Sequence, residues 1–505
     1  MASIVHQYEA AQLEPASEWR LSGTSLVRRL RGVELLLKAS EQFNDGNYQL
    51  TMKTTLETPL SCEQLRRRHQ AAWWRTRRAL PVVGVGYPTL DQATIELHQT
   101  ADDAKQWAAQ TCLVADNTTV SDVYLARSRT QTDALTTMTL VVDPIRGPRG
   151  YVLNMSHTLM SLDIFKIIQE FMFQLARPEN ELGIDAIFSR ETTSKTTSRL
   201  PQSLSHAYAL RHQPTPHDLQ EAFALHQRSQ ERWSRSTVGI PLHPDHQHRP
   251  NRIHNKTITF EPSEAKTAFR FLKQSGVSLT AAFFACMTSG IAHSFPSTNA
   301  SPEGAHLLFS ANGRRYVPVS ASNGQGPITM PILPASMWVD EKDVNLRPTS
   351  PQGLLRLARV IDEAQNQDLA SPHIIAVWDQ MGPALAKALE DAYNLPGGPP
   401  PPPSVGRPTL TSQGQFNCDL HKRTTDTGAG TAGTDRIRMT DFNTGGRSTD
   451  PSVCFALNSF RDELRFNLLF DEKFFDQHDV MHMAYVVARL FRRLVGLEPV
   501  AVARL

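Results

Sequence analysis

The sequence predicts an α/β protein built from two similar lobes. The chain has 505 residues, which is more than one hydrophobic core usually supports, so two large domains are expected. Patterns typical of strands and of helices alternate in both halves, and this repeated rhythm predicts lobes of related fold. We place the N-terminal lobe at residues 1–210, a polar linker at 211–255 and the C-terminal lobe at 256–505.

The charge balance argues against a nucleic-acid-binding protein. Lysine and arginine together number 52 and aspartate and glutamate 50, so the formal net charge is +2. A nucleic-acid-binding domain usually shows a much stronger basic asymmetry. Arginines cluster between Arg66 and Arg78 and could hold phosphates. We interpret them instead as the solvated face of a helix that also carries Trp73 and Trp74.

Cysteine and histidine spacing predicts neither a disulfide framework nor a metal site. The five cysteines are scattered, without the short paired spacings of a zinc site, and they fit a reducing compartment. Three histidines lie within His243–His248, where a metal site is the alternative to a mobile linker. The linker is the preferred interpretation, because no cysteine frames them and the segment has the composition of a mobile stretch.

The apolar segments predict a cytoplasmic protein without a membrane span. The first fifteen residues lack the apolar core of a signal peptide. The most apolar stretch, Val277–Ala292, is short for a span and is interrupted by Ser, Thr and Gly, so we expect a buried helix.

In the first lobe the residue patterns predict a helix, a strand pair and a second helix. Apolar residues have helical spacing over Leu60–Arg78. Thr136–Val142 and Gly150–Met155 are strand candidates, and Asp143–Arg149 has the proline and glycine content of the turn between them. A helical pattern follows at Ile164–Leu175.

The second lobe begins with a strand from Lys256 that leads into a helix entered at Pro262. Ser278 is a suitable N-cap for the next helix. Residues from about 396 to 433 are rich in proline and glycine, which predicts a disordered surface insertion. The remaining predicted elements are a helix over Ser278–Phe295, a strand over Ala305–Ser310, a helix over Gln352–Gln365, an antiparallel pair at Val453–Ser459 and Glu463–Phe470, and a helix over Asp476–Leu494.

His157 is the strongest candidate for a catalytic side chain. It follows the strand Gly150–Met155 directly, and Asp163 stands just before the helix Ile164–Leu175. An imidazole at the end of a buried strand can take a proton from an alcohol at neutral pH. A histidine satisfied within the core is the alternative. Asp163 either is a helix cap that the dipole of the following helix stabilises, or it orients the loop that carries His157.

Several common catalytic motifs are absent from the sequence. It has no Walker-type phosphate loop, no dinucleotide fingerprint after a strand, no GxSxG elbow and no HExxH helix. These absences argue against nucleotide hydrolysis, nicotinamide redox chemistry, common esterases and zinc proteases.

Three segments in order resemble motifs of one superfamily. His157 with its following helix resembles the HxxxD motif, Ser310–Pro318 resembles the arginine-containing segment of the second lobe, and Asp441–Gly446 resembles the DFGWG motif. This combination is similar to the CoA-dependent acyltransferase superfamily, which includes the BAHD acyltransferases, fungal trichothecene acetyltransferases and peptide-synthetase condensation domains. The sequence as a whole is most similar to the fungal trichothecene 15-O-acetyltransferase-like branch.

The resemblance implies a pseudo-dimer of chloramphenicol-acetyltransferase-like lobes with a tunnel between them. Acyl-CoA, in the form of acetyl-CoA, would be a co-substrate and not a bound cofactor, and no metal would be needed. His157 would deprotonate a hydroxyl of a hydrophobic secondary metabolite such as a trichothecene-like sesquiterpenoid. Asp441 and Gly445 would support the tunnel wall, and Thr444 would donate to the oxyanion. A monomer is implied.

The sequence departs from the family's pattern at two positions. The fourth residue after the histidine is Ser161, where the motif has Asp, and Asp163 lies two residues later. The family's aspartate pairs with the arginine of the second lobe, here Arg314 or Arg315, so either Asp163 or Ser161 would take that role. The DFGWG-like segment lacks its Trp. These departures keep open a degenerate, ligand-binding homologue, and a condensation-type domain that uses carrier-protein thioesters is a further alternative.

Overall fold

The computed structural model describes residues 18–131, 135–143, 145, 147–159, 164–189, 191, 193–317, 332–395, 404–416 and 437–497. Helices and strands alternate throughout these ranges. In the first half the elements are β1 (Arg20–Ser22), β2 (Ser25–Arg29), α1 (Val33–Phe43), β3 (Leu50–Glu57), α2 (Cys62–Ala79), β4 (Val85–Thr89), β5 (Gln92–Glu96), α3 (Ala101–Thr111), β6 (Cys112–Asp116), α4 (Val120–Arg129), β7 (Thr137–Asp143), β8 (Gly147–Met155), α5 (Ile164–Leu175), α6 (Gly183–Ile187), α7 (Thr193–Thr197) and α8 (Leu204–Ala209).

The second half begins with a helix and a very short strand. Its elements are α9 (Pro216–Glu231), β9 (Ile240–Pro241), β10 (Ile253–Phe260), α10 (Pro262–Ser275), α11 (Leu279–Ser294), β11 (Gly304–Asn312), β12 (Ile332–Asp340), α12 (Pro351–Asp368), α13 (Ile374–Asn394), β13 (Val405–Phe416), β14 (Arg438–Gly446), β15 (Ser452–Phe460), β16 (Glu463–Asp471) and α14 (Gln477–Leu494).

Two large sheets form the centres of the two halves. The first has five strands in the order β14-β3-β8-β7-β6, and the second has seven, in the order β10-β16-β15-β13-β11-β12 with β9 paired to β13. A smaller four-stranded sheet, β1-β2-β5-β4, lies in the first half. Strand β14 belongs to the second half by sequence but pairs with β3 in the first sheet. The chain therefore returns to complete the sheet of its other half.

The predicted helices and strands outside residues 396–433 are confirmed to within a few residues. Local chemistry explains their ends. Ser278 caps α11 by accepting a hydrogen bond from the backbone of Ala281. Arg461 and Asp462 both adopt positive φ, 49° and 69°, as a two-residue turn between β15 and β16 requires.

The disordered-insertion prediction is wrong for residues 404–416. This stretch forms β13, a central strand that pairs in parallel with both β11 and β15. The flanking proline- and glycine-rich composition concealed it. The rest of the predicted insertion, 396–403 and 417–433, lies outside the described residues.

The segment predicted as an irregular linker also contains regular structure. Helix α9 begins with a capping box, in which Thr215 accepts from the backbone of Asp218 while Asp218 accepts from that of Thr215. Pro216 occupies the first helical position, where it suits a helix start. The boundaries of the two lobes stay predictions.

The arginines of α2 do not all lie on a solvated face. Trp73 and Trp74 are fully buried, and so are Arg68 and Arg77. The earlier interpretation is wrong for these two arginines because the chain after α5 folds over α2. It supplies Glu181, which bonds to Arg68 at 2.9 Å, and Glu191, which lies 3.6 Å from Arg77.

Among the described residues, no single helix is long and apolar enough to cross a membrane. The helices α10 and α11, which are bent by 102° relative to each other, reach that length and apolar composition only as a pair. Helix α11 is buried within the core of the second half, as expected for Val277–Ala292.

Candidate active site

A cavity of about 410 Å³ lies between the two large sheets. One wall comes from the first sheet and the turns around it, and includes Gln49, Leu50, Met52, His157, Thr444 and Gly445. The opposite wall comes from the second sheet and includes Arg407, Thr409, Thr411, Gln413, Cys454 and Leu469. Both halves of the chain therefore contribute to one concave site, which is the usual setting for a small-molecule site.

His157 lies in the wall of this cavity, two residues beyond the end of β8. The last residue of β8, Met155, pairs with Leu50 of β3. The chain then turns, because the Ser156 hydroxyl accepts the backbone N–H of Thr158 at 3.2 Å. His157 is partly exposed while both neighbours are buried, and its Nδ1 atom is buried.

A carboxylate of the first half supports this turn. The Ser156 hydroxyl donates to Glu41 of α1, and the Thr158 hydroxyl lies 3.5 Å from the same oxygen. Sequence reasoning missed Glu41, which is 115 residues from Ser156. No short-range pattern could have identified it.

The predicted contact to the arginine of the second lobe, Arg314 or Arg315, depends on Asp163 or Ser161. Asp163 and Ser161 both lie outside the described residues. Arg314 is partly buried in the short 3-10 turn Gly313–Tyr316 after β11, and its backbone N–H donates to Asn312 at 3.1 Å. An ion pair between Asp163 and Arg314 stays a prediction.

Asp441 lies on β14 but outside the cavity wall. Its carboxylate accepts from the Arg465 guanidinium at 2.7 Å, and Arg465 also donates to the Phe442 carbonyl at 2.7 Å and to Glu463. Burial alone would lower the pKa of Arg465, but the bonds to Asp441 and Glu463 raise it. Asp441 thus ties β14 to β16.

Thr444 lines the cavity, and its hydroxyl already has a partner. It lies 2.7 Å from the Gln413 amide oxygen, to which it donates, and it accepts from Asn467 at 3.3 Å. Its single hydrogen is therefore directed to Gln413. The role of Thr444 as an oxyanion donor stays a prediction, and it requires this hydrogen to turn into the cavity.

Strand β13 supplies a wall that sequence reasoning missed. Arg407, Thr409, Thr411 and Gln413 alternate along it and all line the cavity. This period of two is the signal that could have found them. The low-complexity segments on both sides hid it, and the strand also contains Pro408.

Two side chains of the second wall have pKa values shifted by burial. Burial lowers the pKa of Arg407, whose guanidinium lies 4.1 Å from the ring centre of Trp233, to about 10. Burial, helped by the charge of Asp450, raises the pKa of the Cys454 thiol to about 12. Cys454 is therefore a neutral thiol at pH 7 and a poor nucleophile. Within the described ranges, no group of three or more His, Cys, Asp or Glu side chains could hold a metal ion.

Two curated proteins are similar to this chain over nearly its whole length. Acyl-CoA-dependent acyltransferase MAC2 of Pseudozyma antarctica (strain T-34) is 27% identical, over 92% of this chain and 94% of its own. Acyl-CoA-dependent acyltransferase MAC1 of Mycosarcoma maydis is 22% identical, over 95% of this chain and 90% of its own. No model of a known protein family matches the chain.

Solved structures share the fold. TRI3 trichothecene 15-O-acetyltransferase from Fusarium sporotrichioides matches with a TM-score of 0.74 at 14% identity, covering 95% of this chain and 99% of that one. The condensation domain of the Monacolin K polyketide synthase MokA matches with a TM-score of 0.59 at 11% identity, covering 93% and 97%. These likenesses confirm the predicted fold of two chloramphenicol-acetyltransferase-like lobes. The two curated relatives, matched over at least 90% of both chains, support an acyltransferase enzyme.

Proposed function

We propose that this protein is an acyl-CoA-dependent O-acyltransferase that acts on a hydroxyl of a hydrophobic acceptor. The observation that carries the proposal is the position of His157, in the wall of a cavity shared by the two halves. The names of the MAC1 and MAC2 relatives supply the dependence on acyl-CoA. In this proposal acyl-CoA is a co-substrate, and the enzyme works in the cytoplasm as a monomer.

His157 acts as the general base of a direct transfer. Its imidazole takes the proton of the acceptor hydroxyl as that oxygen attacks the thioester carbonyl. A C–O bond forms, the C–S bond breaks, and the proton passes from the imidazolium to the leaving CoA thiolate. Most of the rate gain comes from holding two substrates in line and from donors to the oxyanion, among which we place Thr444.

The cavity wall favours an apolar acceptor. Leu50, Met52, Phe165, Leu308 and Leu469 supply aliphatic and aromatic surface. Threonine and glutamine side chains on β13 offer a few hydrogen bonds that could orient a hydroxyl, as in many small-molecule sites. We propose acetyl transfer to a terpenoid alcohol, by analogy with the activity in the name of TRI3.

The test is the release of free CoA with and without an acceptor. We expect incubation with acetyl-CoA and a panel of terpenoid alcohols to release CoA and to yield an acetyl ester detectable by mass spectrometry. His157→Ala should remove this activity because the hydroxyl then has no base. His217→Ala is the matched control, since His217 is 76% exposed at the start of α9 and should leave turnover unchanged.

Three results would contradict the proposal in different ways. Full activity in His157→Ala would refute the general-base mechanism. Tight binding of a hydrophobic alcohol without CoA release, over a broad range of acyl chains, would show a degenerate binding protein. Turnover with a carrier-protein thioester but not with free acyl-CoA would instead show a condensation-type enzyme.

A further inference from the structure

We infer that Glu41 is a positioning residue that holds the His157 turn in place, an inference that rests on the proposed role of His157. Glu41 accepts hydrogen bonds through both carboxylate oxygens. Oε2 accepts from the hydroxyl of Ser156, and Oε1 accepts from the Gln49 side-chain amide at 3.0 Å. One carboxylate therefore connects the residue before His157 to a residue of the cavity wall.

Glu41 constrains the residues on both sides of His157. Ser156 and Thr158 are buried, their hydroxyls lie 2.9 Å apart, and the Thr158 backbone N–H donates to Ser156. Only the histidine between them reaches the cavity. With the flanking residues fixed to Glu41, the backbone of His157 has little freedom, and its ring direction is set before substrate arrives.

Burial of the Glu41 carboxylate near the end of α1 costs free energy, so a contribution to helix stability does not explain why a glutamate is present there. It is 3% exposed and lies near the C-terminal end of α1, where the helix dipole disfavours a negative charge. Within the described residues, no Lys or Arg side chain comes within ion-pair distance of its carboxylate. Uncompensated buried charge destabilises a fold unless its hydrogen bonds are well satisfied. Such local conflicts are expected where function depends on them.

Gln49 connects Glu41 to the neighbouring strands of the same cavity wall. Its backbone carbonyl accepts the Arg447 N–H at 2.8 Å, directly after Gly446 of β14. Leu50, the next residue, pairs with both Met155 of β8 and Gly446. Glu41 therefore fixes the His157 turn relative to the three strands that form this side of the cavity.

The experiment compares Glu41 with a second buried glutamate of the same helix. Glu34 is also 3% exposed, but its carboxylate pairs with Arg28 at 2.7 Å, and neither glutamate lines the cavity itself. Glu41→Gln places an amide where two acceptors are needed, so kcat should fall about tenfold or more with little change in KM. Glu34→Gln should lower the thermal midpoint and leave kcat unchanged.

A double variant separates positioning from loss of stability. Ser156→Ala should lower kcat like Glu41→Gln, and the two changes together should cost no more than the larger single effect, because they break one connection. Additive losses of kcat would contradict the inference. So would a kcat for Glu41→Gln within twofold of the wild type, or an equal loss of kcat in Glu34→Gln.

A measurement that needs no catalytic turnover tests the role of Glu41 independently of the proposed function. Diethyl pyrocarbonate modifies histidine rings, and peptide mass spectrometry follows the rate at His157. The rate should rise in Glu41→Gln and Ser156→Ala, as the turn loosens, and not in Glu34→Gln. An unchanged rate overturns the inference even if no acyl transfer is ever detected, whereas a raised rate in an inactive protein refutes only the proposed function.

Discussion

At the scale of single residues, the cavity wall depends on a glycine that no side chain could replace. A Cβ atom at Gly445 would lie 1.9 Å from the Tyr124 hydroxyl oxygen and 2.3 Å from the Asn255 amide oxygen. Asn255 in turn accepts the backbone N–H of Gly446 at 3.2 Å. Gly445 thus allows side chains from α4 and β10 to approach the back of β14. The family resemblance pointed to this glycine, and its contacts give the reason.

We expect Gly445→Ala to destabilise the fold by about 1–3 kcal/mol, since the added methyl group overpacks a rigid site. Tyr124→Phe removes one of the two clashing atoms, so the double variant should recover part of the loss. Urea unfolding of the four proteins measures this.

Tyr124→Phe alone is the control. The Tyr124 hydroxyl is buried without a hydrogen-bond partner in the described parts of the chain, and burial raises its pKa. Its removal should be neutral or slightly stabilising. If the loss in Gly445→Ala were the same in both backgrounds, the contact with Tyr124 would not be its cause.

The sequence predicts residues whose signal is local and misses those whose partners are remote. His157 could be identified because a strand pattern, a histidine and a helix pattern follow each other within Gly150–Leu175. Glu41 and Gln49 carry no such pattern, because their role arises only when α1 packs against the end of β8. Arg407 and Gln413 had a local signal, which biased composition on both sides obscured.

At the scale of elements, β14 joins the two halves. It is an edge strand of the first sheet, paired along its length with β3, and Asn443 also donates to Thr257 of β10 at 2.6 Å. Its Phe442 is fully buried in the core of the first half, with its ring centre 4.3 Å from that of Phe416 and 5.4 Å from that of Phe165. Residues of the second half thus complete the first core.

We therefore expect Phe442→Ala to lower the free energy of unfolding by about 3–5 kcal/mol, the usual cost of emptying a buried phenylalanine site. The loss should appear as one shifted unfolding transition, because both halves depend on this strand. Thr440→Ala on the same strand is the control, since Thr440 is exposed and, among the residues that the structure describes, its hydroxyl bonds only to Thr55. Two separate transitions, of which only one moves, would show that β14 does not couple the halves.

At the scale of the whole molecule, a helix contact forms the second connection between the halves. Helix α13 of the second half packs on α1 of the first, and Arg31 forms two hydrogen bonds to Asp379, of 3.2 and 2.6 Å. The rhythm of strands and helices was enough to predict two lobes. It could not predict this contact, which joins residues 348 positions apart, or the return of β14.

Gly382 of α13 lies directly against the backbone of Gly32, just before α1. A Cβ atom at position 382 would lie 2.4 Å from the Gly32 carbonyl oxygen and 2.8 Å from its Cα, and neither backbone atom can rotate away. In an isolated helix, alanine is more favourable than glycine by about 1 kcal/mol. Helix propensity therefore predicts that Gly382→Ala raises the free energy of unfolding, whereas packing predicts that it lowers it. We expect the packing effect to be the larger one.

We expect Gly382→Ala to be less stable than the wild type by about 1–3 kcal/mol in urea unfolding, because the two helices must move apart. Helix α1 also carries Glu41, so the displacement should reach the cavity and change the kinetics of acyl transfer as well. Ala384→Ser is the matched control, because Ala384 is exposed on the same helix and should leave both measurements unchanged. A stabilised Gly382→Ala protein would show that α13 and α1 adjust freely. The two halves would then be held together by β14 rather than by this helix contact.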